Sequence, residues 1–269
     1  MNDMELSLVL FTVLSQVSVG LAVMAALRQW AASEGPAPPN VRIEWIVVGV
    51  VLLIGLVASL FHLGHPEGSP RSILHLSTSW LSREIIAFLI YGILVILGLV
   101  ALWKETSRRA AILKFAALVG LIALAVSGMV YSPPSFPALN NGVPVLFYLL
   151  TAFILGPAFS SYLAGPAWQP WLTRILLTSL VVGLVLNLLL PSIWMAGGRV
   201  MHMTGLAYYG SALYWLRILG QFVLGIAVIV ATRRIPIWLP VILLAGELAG
   251  RVIFFTHVVH TATNIGGLY

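Results

Sequence analysis

Eight apolar runs of roughly 20 residues follow one another with little between them, and each is long enough to cross a hydrocarbon core as a helix. They lie near Leu6–Trp30, Trp45–Leu63, Leu81–Trp103, Ala111–Tyr131, Val143–Leu163, Leu172–Met195, Ala212–Ala231 and Ile237–Val259. A chain built this way has one solution open to it. The backbone polar groups must be satisfied inside each segment, so the segments are helices. The expected class is all-α: an integral membrane bundle of eight transmembrane helices, forming a single domain over residues 1–269. Only 8% of the residues are charged. Soluble domains carry about 25%, so a water-facing surface has too few charges to cover it.

Trp30, Trp45, Trp80, Trp103, Trp171, Trp194 and Trp238 fall at the ends of these runs, as an interfacial aromatic belt would. Proline and glycine mark the connections, at Gly35 to Pro39, Pro66 to Pro70, Pro133 to Pro137 and Gly165-Pro166. The first run opens with Asp3 and Glu5 and lacks a basic leader, so it reads as a retained span and not a cleaved signal. Lys and Arg are distributed unequally. Nine fall on one side (Arg28, Arg42, Lys104, Arg108, Arg109, Lys114, Arg174, Arg233 and Arg234) and four on the other (Arg71, Arg83, Arg199 and Arg217). The positive-inside rule then puts both termini on the outer, periplasmic side. The same rule accounts for the net charge of +6 without nucleic acid, for which no extramembrane stretch is long enough.

The chain has no cysteine, so it holds no disulfide, no thiolate metal site and no cysteine-ligated iron–sulfur cluster of its own. All six histidines fall toward the predicted outer side: His62, His65, His75, His202, His257 and His260. Haem between spans is not expected, because that needs histidines facing one another inside the bilayer. His257 and His260, three apart on a predicted helix, have metal-ligand spacing but no third ligand, so no metal site is expected.

Two acidic residues intrude into apolar runs, and an ionisable side chain there costs a few kcal/mol or more. Glu247 lies mid-span with Arg251 one turn on. Their i,i+4 spacing permits a pair, which serves either as neutralised packing or as a functional charge. Gly246 and Gly250 share the spacing and favour close helix contact. Glu84 opens the third run while His62 closes the second, and the connection brings both to one face. They are either ordinary interfacial residues, with Ser82 as a helix cap, or a pair suited to removing protons from a bound hydroquinone. Asn187, Gly183 and Gly225 read as packing devices.

Ser59-Leu60-Phe61-His62-Leu63-Gly64-His65-Pro66 resembles the end of the second span in the membrane anchor of dimethyl sulfoxide reductase, the DmsC type. Ser82-Arg83-Glu84-Ile85 is similar to the start of that family's third span. Leu243 through Arg251 resembles its last span, and Phe11-Thr12-Val13 with Gln16 its first. Val130-Tyr131 and Gly156-Pro157 match weaker signals between them. His65 stands where relatives carry serine, and the stretch from Glu67 to Ser79 matches poorly.

The resemblance implies an anchor subunit in the bacterial cytoplasmic (inner) membrane. It would bind and oxidise menaquinol without haem, and pass electrons to an iron–sulfur subunit and then to a molybdopterin catalytic subunit. His62 and Glu84 would carry the chemistry, with Gly64, Ser82 and Arg83 completing the quinol site and Glu247 with Arg251 in support. Three rival readings remain, one of them a haem cytochrome with His62 and either His202 or His257 as ligands. A polysulfide-reductase-type subunit would show buried acids across the full membrane depth. A small-solute transporter would show broken helices in matching positions, for which Pro191 is the one candidate.

Overall fold

The computed structural model describes residues 3–31, 40–61 and 75–264. It is all-helical, and eight of its helical segments are long and apolar enough to cross a membrane. The spans are α1 (Asp3–Ala31), α2 (Val41–Leu60), α3 (Trp80–Trp103), α4 (Arg109–Val130), α5 (Val143–Leu163), α6 (Gln169–Met195), a seventh made of α8 (Ala212–Arg217), a π-helical turn (Ile218–Val223) and α9 (Leu224–Thr232), and α10 (Leu239–Thr256). A short helix, α7 (Arg199–Tyr209), fills the connection before the seventh span. It is too short to cross a bilayer, and its sequence does not mark it as a separate element.

The first helix is the axis of the bundle. It packs against α2, α4, α5 and α10 and is the most buried of the spans. Its sequence explains this position. Small and hydroxylated side chains let neighbours approach, and the hydroxyls find partners inside the bundle. Thr12 Oγ1 donates back to the Leu8 carbonyl at 2.8 Å. Ser18 Oγ donates to the Val48 carbonyl of α2 at 2.9 Å and sits 3.0 Å from the Tyr91 hydroxyl of α3. At Gly20 the backbone of α1 touches that of α5: a Cβ there would lie 2.3 Å from the Ala152 carbonyl oxygen, and one on Gly156 would lie 2.7 Å from Gly20. Pro157 follows without breaking α5.

The outward faces are Leu, Ile and Val, as lipid requires. Trp30, Trp80, Trp103 and Trp238 are exposed at helix ends and form the aromatic belt. Trp45 and Trp194 do not: both are buried in the core, Trp194 against Tyr208. Three further expectations are corrected. Helix α6 runs unbroken through Pro191, so it supplies no transporter-like break. Helix α10 ends at Thr256 with His257 as its C-cap, so His257 and His260 do not share a helical face. Helix α2 begins at Val41, four residues before the predicted start, which draws Glu44 into the bundle.

Candidate functional site

Among the described residues three buried carboxylates organise the interior: Glu44, Glu84 and Glu247, each 4% exposed or less. Their partners differ in kind, and that difference sorts their roles.

Glu84 sits one turn into α3. Ser79 caps this helix, its side chain accepting from the Ser82 backbone N–H at 3.3 Å, so Ser79 takes the capping role expected of Ser82. Ser82 itself is buried. The capped turn directs Glu84 inward, where the Ser127 hydroxyl of α4 donates to it. Tyr131, at the end of α4, lies within electrostatic reach of both Glu84 and Arg251. Beside Tyr131, an apolar cavity of about 90 Å³ opens between the α4–α5 connection and α10, walled by Pro133, Phe136, Phe254 and Phe255.

Arg83 turns away from this pocket. Its guanidinium stacks on Trp80 at 4.4 Å and donates to the Leu76 and Ser77 carbonyls, both at 2.8 Å. It braces the turn leading into α3 and does not contact Glu84. His62, Gly64 and His65 lie outside the described residues.

Glu247 and Arg251 are both buried on α10, but they do not pair with each other as their spacing suggests. Glu247 accepts from Thr151 of α5 at 2.7 Å, from Gln221 in the π-helical turn, and from Arg217 at 3.4 Å. Arg217 also donates to Asn187 of α6 at 2.9 Å and to Gln221 at 2.9 Å. Arg251 instead donates to Gln16 of α1 at 2.9 Å and lies over the Tyr148 ring at 4.2 Å. Gly246 and Gly250 make room for these polar side chains and not for a neighbouring backbone. A Cβ on Gly246 would meet Gln221 Oε1 at 2.5 Å, and one on Gly250 would meet Arg217 Cζ at 2.3 Å. Asn187 is thus a member of the polar cluster.

Glu44 completes the set, and sequence reasoning does not find it. It forms a fully buried ion pair with Arg28 near the opposite ends of α1 and α2. In the sequence Arg28, near the end of the first span, reads only as one of the basic residues on the inner side. The available signal is the acid in the first turn of an apolar helix, directly before Trp45.

The described histidines have local roles. His202 Nδ1 bonds the Met195 carbonyl at 2.7 Å. His257 contacts Thr256 Oγ1 at 2.7 Å, and partial burial lowers its proton affinity below that of a free imidazole. His260 accepts from the Ala262 N–H at 2.8 Å and packs edge-on to Phe136. Among the described residues no three His, Asp or Glu side chains converge as metal ligands.

These features define a multi-pass membrane protein that faces lipid with apolar side chains and holds a small set of charged side chains inside the bundle. The sequence comparisons sharpen that class. The profile of the DMSO reductase anchor subunit (DmsC) matches residues 1–257, and the protein belongs to this family. It is 26% identical over 161 residues to the anaerobic dimethyl sulfoxide reductase protein YnfH of Escherichia coli, covering 58% of this sequence and 56% of that one. It is 29% identical over 172 residues to an anaerobic dimethyl sulfoxide reductase component of Haemophilus influenzae, covering 61% and 60%. A third relative, a sulfite dehydrogenase component of Allochromatium vinosum, is 31% identical over 139 residues, covering 45% and 43%. The matches to these three relatives therefore span less than two thirds of their length.

Proposed function

We propose that this protein is the membrane anchor of a dimethyl sulfoxide reductase-like respiratory complex and that it oxidises menaquinol at Glu84. The observation that carries the reading is the contrast among the three buried carboxylates. Glu44 and Glu247 each have an arginine within ion-pair distance. Among the described residues Glu84 has a serine hydroxyl in that place. A carboxylate facing a guanidinium is a fixed charge, whereas one facing a hydroxyl is free to exchange a proton.

In this scheme menaquinol enters laterally from the bilayer, near the periplasmic face. One hydroxyl donates to Glu84 and the other to His62, the neighbour expected from the sequence. Oxidation releases two protons and two electrons per quinol. Glu84 and His62 take up the protons and pass them outward. The electrons go to an iron–sulfur partner, and from there to a molybdopterin subunit that reduces the terminal acceptor. Ser127 holds the Glu84 carboxyl in place. Gly64 and Ser82 remain candidates for shaping the pocket, while Arg83 supports it through the preceding turn. The deciding experiment is quinol oxidation by the assembled complex carrying Glu84→Gln. Assembly with slowed oxidation supports the role, and an unchanged rate removes it.

Glu44 favours a second reading, because buried acids lie toward both ends of the bundle as well as mid-span. That pattern suits a polysulfide-reductase-type subunit coupling quinone chemistry to transmembrane proton movement. The arginines bound to Glu44 and Glu247 argue against either acid as a proton carrier. Internal pH change in proteoliposomes during turnover separates the two readings.

A further inference from the structure

Between α5, α6, α8 and α10 lies a small cavity of about 20 Å³, lined by Thr151, Asn187, Tyr208, Arg217, Glu247 and Arg251. That volume suits a single water molecule, which requires about 10–15 Å³ and two to four polar partners. The side chains around it are unevenly satisfied. The Glu247 carboxylate already accepts from Thr151, Gln221 and Arg217. Arg251, 4% exposed, has a buried Nε with no protein partner, and among the described residues only its Nη2 makes a hydrogen bond. An unsatisfied guanidinium N–H is costly in a bilayer interior, where no bulk water can take it up.

We propose that this cavity is a binding site for one water molecule, which accepts from the Arg251 guanidinium and donates to the Glu247 carboxylate. The wall chemistry selects the ligand. The two guanidinium groups repel a metal cation, an anion would offer the Glu247 carboxylate no donor, and the volume excludes a quinone ring. A neutral molecule that both donates and accepts fits all three conditions. The i,i+4 pair that the sequence suggests then exists, but through water. The bridge joins Arg251, and with it Gln16 of α1, to the cluster that gathers α5, α6, α8 and the π-helical turn around α10. Glu84 does not line the site, and this inference does not depend on quinol oxidation.

Two measurements on the intact complex in lipid nanodiscs test it. The first is a structure at a resolution that shows ordered water, determined with bromide in place of chloride. One uncharged solvent peak within hydrogen-bond distance of Arg251 and Glu247 is expected. An empty cavity or a bromide peak overturns the proposal. The second is X-ray radiolytic footprinting, in which bound water labels adjacent side chains. Tyr208, buried on the cavity wall, should label several-fold faster than the likewise buried Tyr91, which lies away from it. Equal rates overturn it.

Discussion

Arg251 and Gln16, 235 positions apart in the sequence, are joined inside the bundle by a 2.9 Å hydrogen bond from the guanidinium Nη2 to the amide oxygen. The contact closes the first span onto the last. Glutamine supplies the acceptor, and the tyrosine ring of Tyr148 faces the cation. Replacing Arg251 with Met should lower the thermal stability of the solubilised complex. Lys should rescue only part of the loss, because it lacks the planar fork that donates to Gln16 while lying over Tyr148.

Glu84→Gln keeps the size of the side chain and its contact with Ser127 while removing the proton acceptor. Quinol oxidation should fall about a hundredfold, within the range for loss of a positioned general base. Subunit assembly should be unchanged. Ser127→Ala should give a smaller loss, since it frees the carboxyl without deleting it. Stopped-flow oxidation of a reduced naphthoquinol, with co-purification as the assembly control, separates the two effects.

The Arg28–Glu44 pair should behave as buried ion pairs do. Arg28→Met or Glu44→Leu alone leaves an uncompensated charge and should cost about 3–5 kcal/mol. The double substitution should recover most of that stability. Unfolding of all four forms in detergent gives the coupling directly. Equal losses that simply add would show that the two side chains do not interact.

Gly250→Ala places a methyl group 2.3 Å from Arg217 Cζ and must displace the arginine from Glu247. A loss of about 1–3 kcal/mol is expected, as for other overpacked positions. Gly220→Ala is the internal control, because a Cβ there meets nothing within 4 Å. Matching melting temperatures for the two variants would contradict the packing described for this cluster.

The absence of native cysteine makes sidedness directly measurable. A cysteine at Asn141 should react with a membrane-impermeant maleimide added to whole cells with permeabilised outer membranes. One at Arg234 should react only after the inner membrane is opened. The reverse pattern would invert the orientation and move Glu84 to the cytoplasmic face.

The membrane class, the eight spans and the family are all legible in the order of residues alone. Each is written in local properties: apolar length, interfacial tryptophans, basic connections and short blocks such as Leu243 to Arg251. Glu84 and Glu247 stand out in the same way, as acids in apolar surroundings. What those acids face emerges only once the helices are packed. Arg251 reaches Gln16 instead of Glu247, Arg217, counted in the sequence with the outer basic residues, turns inward to bind Glu247, and Arg83 turns outward while Glu84 turns in. The reason is geometric. Burial of a charge is a property of one helix, but the identity of its partner depends on how several helices rotate and approach. Gly246 and Gly250 on α10 leave the space that Gln221 and Arg217 occupy, and those two come from a segment that the sequence keeps apart.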